Sequence, residues 1–220
     1  AGKTTTIKML VGLLRPDSGT VRVCGCDVVR DTRQAARLLG YVPDEPFLYE
    51  KLSGREFLEF VAQMRGLDGS AVSARIDREA GGFDLEEFLD GLIETYSHGM
   101  RQRLVFASAT VHDPAVLVID EPMVGLDPRS VRMVKDMLRR RAAGGATVFL
   151  STHTLAVAEE IADRIGILDH GRLCFLGTVA ELRQELSAEH TSLESLFLQL
   201  TGGDNGGPPA VPLPRSQASG

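Results

Sequence analysis

The chain has 220 residues, 43% of them hydrophobic and 25% charged, with a formal net charge of −6. These proportions suit one globular domain with an inserted subdomain and a sizeable core, and the acidic balance argues against a general nucleic-acid binder, which would need a basic surface to neutralise phosphates. No apolar run approaches the roughly 20 residues needed to span a bilayer, no signal-peptide pattern opens the chain, and three cysteines make no even disulfide framework.

The chain opens on Ala1-Gly2-Lys3-Thr4-Thr5-Thr6. Gly2-Lys3-Thr4 before a helix is the second half of a phosphate-binding loop, in which backbone amides and a lysine hold phosphates and a hydroxyl ligates magnesium. Apolar spacing at Ile7, Leu10, Val11 and Leu14 predicts a helix ending at Arg15-Pro16. Gly19–Val23 alternates as a strand, and Leu38–Pro43 reads as another. Cys24-Gly25-Cys26 reads as strand and turn, because no further His or Cys cluster completes a metal site.

From Ser53 the pattern becomes helical. Ser53 and Glu56 have capping-box spacing, and Phe57, Leu58, Val61 and Met64 place an apolar stripe behind them. Val72–Glu79 and Asp84–Ile93 also read as helix, so residues 45–110 are expected to form a helical insertion in a sheet domain spanning 1–201. Within it Tyr96-Ser97-His98-Gly99-Met100-Arg101-Gln102 starts a helix whose serine and glycine suit an anion, since unpaired amides and the helix dipole point at an incoming charge. An ordinary serine cap with solvated arginines is the alternative.

The branched apolar run from Ala115 to Ile119 suits a central parallel strand covered on both faces. Asp120 and Glu121 follow it at the carboxyl edge, where open α/β sheets bind ligands and where a nucleotide-hydrolysing site keeps its metal ligand and its base. Asp127-Pro128 cap and open the next helix. A strand at Thr147–Leu150 and a helix after His153 continue the alternation, which implies a parallel sheet. Residues 164–168 and 172–175 flank the turn Asp169-His170-Gly171 as a hairpin. Thr178 and Glu181 form another capping box, and Leu193–Leu200 reads as a last helix. The Gly-, Pro- and Ser-rich residues 202–220 are expected to be disordered.

Taken in order, Ala1-Gly2-Lys3-Thr4-Thr5, Tyr41-Val42-Pro43-Asp44-Glu45, Tyr96–Gln102, residues 116–128 and Ser151-Thr152-His153 resemble the motif set of ABC transporter ATP-binding subunits. The wording Tyr-Ser-His-Gly-Met resembles the bacitracin- and multidrug-exporter-like branch. The resemblance implies a P-loop NTPase (RecA-like) fold with an inserted α-helical subdomain, and ATP and Mg²⁺ as cofactors. It implies Lys3 on the β/γ-phosphates, with Gly2 and Thr5 beside it in the phosphate loop, and Thr4, Asp120 and Asp44 toward Mg²⁺. Glu121 is then the base for the attacking water and His153 the γ-phosphate sensor. Ser97 and Gly99, with Gln102, would meet ATP held by a second ATPase subunit, and Asp127 would lie at the seam between the two. Such a pair would serve a transmembrane permease at the cytoplasmic face of the membrane.

Three departures accompany the resemblance. The family pattern begins its phosphate loop before Gly2, so the chain reads as N-terminally truncated, and weak ATP binding is expected of it. Asp44 stands where many members carry glutamine; it offers oxygen to Mg²⁺ or water but cannot donate when ionised. His98 stands where many signatures have glycine. The rival readings are an ATP-dead cassette acting as a binding module and a soluble, non-transport ABC ATPase. A DNA-maintenance type would need a long coiled coil between Lys3 and Asp120, and a translation type a second cassette.

Overall fold

The computed structural model describes residues 2–123, 126–186 and 192–201. Thr4–Ser151 form one compact unit, and the residues before Thr4 with those from Thr152 onward form another. The proposed disorder of 202–220 lies outside the described residues.

The larger unit is built on three parallel strands, β3 (Leu39–Val42), β4 (Val116–Asp120) and β5 (Thr147–Ser151), in that spatial order. Its ladder sets Val42 beside Ile119 and Asp120 beside Ser151, which aligns the carboxyl ends of the strands. Parallel neighbours need crossovers. The helical insertion provides the first, and α6 (Pro128–Ala143) provides the second. Val118 on β4 faces a cluster of Ile7, Val23, Cys26, Val28, Ala35 and Leu39, while Leu117 and Ile119 alternate to the opposite face and are also buried. This is the doubly covered strand that the apolar run predicts.

Ahead of the sheet lie α1 (Lys3–Leu10), a short antiparallel hairpin of β1 (Arg22–Val23) and β2 (Cys26–Asp27), and α2 (Thr32–Leu38), a helix the sequence pattern did not single out. The hairpin turns on Cys24 and Gly25, both at positive φ, so Cys24-Gly25-Cys26 is strand and turn. Helix α1 ends earlier than Arg15. Gly12 adopts φ +78°, and the amides of Leu13 and Leu14 both donate back to the Lys8 carbonyl, closing the helix.

The insertion contributes α3 (Gly54–Met64), α4 (Ser70–Gly82) and α5 (His98–Thr110). Ser53 and Glu56 close the expected capping box at 3.2 and 2.8 Å. Phe57 and Leu58 are buried as expected, but Met64, at the far end of the stripe, is 72% exposed. Residues 84–93 differ more from expectation: they form turns and a 3₁₀ turn at Ile93–Thr95 instead of an α-helix. Their carbonyls are engaged elsewhere, with Phe88 accepting from the Tyr96 hydroxyl at 2.6 Å and Leu89 from the Arg55 amide at 2.9 Å. Tertiary hydrogen bonds have outcompeted a modest helical pattern. Close packing also explains Gly40 on β3, where a Cβ would collide with the Ala109 carbonyl of α5.

The smaller unit holds the predicted hairpin, β6 (Ile165–Asp169) and β7 (Arg172–Gly177), turning through His170 and Gly171 at positive φ. Around it pack α7 (Leu155–Ile161), α8 (Val179–Glu185) and α9 (Leu193–Thr201). Ile165, Ile167, Phe175, Leu182, Leu193 and Leu196 form its core. Thr178 and Glu181 make the anticipated capping box on α8.

Candidate functional site

Asp120 ends β4 at 1% exposure. The Ser151 hydroxyl, brought opposite by the β4–β5 register, donates to Asp120 Oδ1. Oδ2 is buried without any hydrogen-bond partner. An unsatisfied buried carboxylate oxygen is costly, and a cation is the group whose chemistry would satisfy it. Among the described residues no group of three or more His, Cys, Asp and Glu side chains gathers.

Glu121 follows at φ +50°, the left-handed region that non-glycine residues rarely occupy. Its amide donates to the Ser151 carbonyl at 3.2 Å and lies 3.3 Å from the Ser151 hydroxyl. Strain of this kind persists where surroundings over-determine it, and it concentrates at functional sites. Ser151 therefore steadies both carboxylate residues. The sequence placed Ser151 in the Ser151-Thr152-His153 motif but gave it no role of its own, because only strand register shows that residues 31 apart are neighbours.

Asp44 follows β3 and is exposed. Tyr41 on β3 reports where it lies: burial chiefly, and then the charges of Asp120 and Asp44, push the Tyr41 hydroxyl's pKa up. The β3–β4 register sets Tyr41 beside Val118 and Val42 beside Ile119, so Asp44 and Asp120 lie at the carboxyl ends of neighbouring strands. Thr4 and Thr5 are exposed on the first turn of α1.

Two helix openings in the larger unit hold the other candidates. Ser97 caps α5, its Oγ accepting from the Met100 amide at 3.3 Å. A Cβ built on Gly99 meets nothing within 4 Å, so packing within this chain does not require glycine there. Gln102, one turn on, is buried. Arg101 is not the solvated arginine of a plain cap: it donates to Glu50 Oε1 at 2.9 Å and to the Tyr96 carbonyl at 3.3 Å. Asp127 caps α6, accepting from the amides of Arg129 and Ser130 at 2.9 and 3.0 Å and from the Ser130 hydroxyl at 2.6 Å. The Ser130 hydroxyl, then the amides, hold its pKa below the usual carboxylate range. Val124 and Gly125, inside the acidic turn, lie outside the described residues.

In the smaller unit Lys3 Nζ donates to the Thr152 carbonyl at 3.1 Å. Gly2 has φ +102°, and a Cβ there would lie 3.1 Å from Gly171 Cα, so backbone approach and conformation both favour glycine. His153 follows Thr152 and is exposed.

Aligned strand ends carrying Asp120 and Glu121, together with a lysine-threonine helix start, define an α/β protein of the P-loop NTPase class. The profile of the ABC transporter family matches residues 1–124, and the chain belongs to that family as an ATP-binding domain. A second profile, described as an AAA domain and putative AbiEii toxin of a type IV toxin–antitoxin system, matches residues 92–159.

Among its relatives, the daunorubicin/doxorubicin resistance ATP-binding protein DrrA of Streptomyces peucetius is 41% identical over 86% of this chain and 57% of that protein. The ABC-type transporter ATP-binding protein EcsA of Bacillus subtilis is 34% identical over 94% of this chain and 83% of its own length. A solved ATP-binding subunit of an ABC transporter superposes with a TM-score of 0.85 at 33% identity, covering 90% of this chain and 82% of that one. The chain thus spans little more than half the length of the drug-resistance relative.

Proposed function

We propose that this protein hydrolyses ATP as one of two paired ATPase subunits driving a membrane permease, and that the transport is export of a drug- or antibiotic-type substrate. The observation that carries the hydrolytic part is Asp120, buried with one oxygen unpartnered, beside Glu121 held in a left-handed conformation. Phosphoryl transfer asks a protein mainly for positioning, a metal clamp and a placed water.

Asp120, Thr4 and Asp44 are the residues that would hold Mg²⁺, which supplies neutralisation of phosphate charge. Gly2, Lys3 and Thr5 bind the phosphates from the start of α1. Glu121 accepts a proton from the attacking water, and His153 orients that water. Ser97 and Gly99, with Gln102 behind them, face the nucleotide of the partner subunit, and Asp127 stands at the seam. Open space over Gly99 supports close approach of another molecule.

Export is supported by the drug-resistance relatives. In this reading the protein sits at the cytoplasmic face of the membrane through the permease; among the described residues no helix is long and apolar enough to cross a membrane. An exposed aromatic surface supports such docking: Phe47 is 79% exposed, and Tyr49 packs edge-on against both Phe47 and Phe60. Met64, exposed one turn after Phe60 on α3, adds a soft side chain suited to partner helices.

The Glu121→Gln protein should bind ATP with unchanged affinity and show no turnover. Undiminished turnover refutes the assigned base. Co-purification with a permease separates the transport subunit from a soluble ATPase.

A further inference from the structure

A second buried carboxylate, Glu79 on α4, lines a cleft with Pro114, Ala115 and Ala146, before the starts of β4 and β5, with its side chain 4% exposed. Arg141, in the last turn of α6, donates to both its oxygens at 2.7 and 2.8 Å. The hydroxyl of Thr110, the final residue of α5, bonds to Oε2, and Arg78 donates to Oε1 at 2.9 Å. Asp113 completes the cluster, accepting from Arg141 at 2.9 Å and Arg78 at 2.7 Å and pairing with Arg75 at 2.9 Å. One carboxylate therefore joins the ends of three helices.

The two helices it ties to α4 are those that open on the candidate partner-facing residues. Helix α5 begins at the Ser97 cap and α6 at the Asp127 cap. Each runs about 20 Å from its opening to the Glu79 cluster, at 1.5 Å per residue. Over such a lever, a rotation of about 5° at the cluster displaces the opening by nearly 2 Å, by the same geometry. A site that needs its groups held to about 0.5 Å does not tolerate that. The cleft beside the cluster, of about 610 Å³, is lined among others by Phe83, Met137 and Arg141.

We propose that Glu79 is a positioning residue: through Arg141 and Thr110 it fixes the angle between α5 and α6, and so the separation of the Ser97 and Asp127 openings. The inference rests on the functional reading above, in which both openings face a partner subunit.

The test uses Glu79→Gln, Arg141→Gln and the doubly substituted amide pair, each in the otherwise intact protein. Nitroxide labels at exposed His98 and Arg129, with the three cysteines replaced, report the spacing of the openings by pulsed electron resonance. Each single substitution should broaden the distance distribution and lower kcat at saturating ATP by about tenfold with KM within about twofold. The neutral pair, in which two amides hydrogen-bond without an unpaired buried charge, should recover most of both losses. An unchanged distance distribution overturns the proposal, as does a broadened distribution with kcat unchanged. If the unsubstituted protein hydrolyses no ATP, the functional reading fails, and the label distances alone decide whether Glu79 sets the helix angle.

Discussion

Ser151 donates its hydroxyl to one oxygen of Asp120 and leaves the other buried without a partner. The pair is half satisfied. Removing the hydroxyl strips Asp120 of that bond as well, so Ser151→Ala should lower stability by about 1–3 kcal/mol, the cost of a buried group left unpaired. Asp120→Asn removes the buried charge and should keep or raise the melting temperature while abolishing Mg²⁺-dependent turnover. Calorimetry and phosphate release measure the two effects; a large loss of stability in Asp120→Asn would contradict the reading of Oδ2 as a cation-seeking atom.

Glu121 stands at φ +50°. Glycine adopts that conformation without steric cost, so Glu121→Gly should relieve about 1 kcal/mol of strain, partly offset by the greater freedom of the unfolded chain. Stability should therefore be unchanged or higher while hydrolysis is lost. Denaturant midpoints and ATP turnover, measured on one preparation, check this opposition; retained turnover would remove Glu121 from the chemistry.

Asp127 has two candidate roles, cap and seam. Serine also caps well, so Asp127→Ser should keep the melting temperature of α6's unit while lowering turnover and nucleotide-driven pairing. Asp127→Ala should lose stability in addition. Equal turnover in Asp127→Ser and the unsubstituted protein would leave capping as its sole function.

His112 is 8% exposed and its Nε2 lies 3.0 Å from the Leu39 carbonyl. Burial chiefly, then the charge of Arg65, lowers its pKa from 6.5 to about 4. The unfolded chain thus takes up a proton below pH 6.5 that the native protein refuses until about pH 4. Stability is unaffected above pH 6.5 and falls as pH drops through that window, by about 2 kcal/mol at pH 5 at 1.36 kcal/mol per unit. Urea midpoints at pH 7.5 and pH 5 measure the slope, and His112→Gln should remove its share of it. An equal slope in both proteins would show that other groups carry the acid sensitivity.

Several features followed from neighbouring residues alone. The apolar run before Asp120 is a buried central strand, both capping boxes close, and the hairpin at residues 165–177 turns where Asp169-His170-Gly171 predicts. The ordered motifs also pointed to the family that the chain belongs to. Such signals are legible because caps, turns and strand periodicity depend on residues within a few positions of one another.

Other features needed the folded chain. Residues 84–93 gave up a helical pattern because Tyr96 and Arg55 claim their carbonyls. The bond from Ser151 to Asp120 depends on strand register, and the cluster around Glu79 joins residues as far apart as 62 positions. The sequence thus determined the strand, the caps and the carboxylates that end the strand. Which oxygen is satisfied, which carbonyl is already engaged and which distant arginine meets a buried glutamate were decided only by the tertiary structure, because hydrogen bonds and ion pairs act through space rather than along the chain.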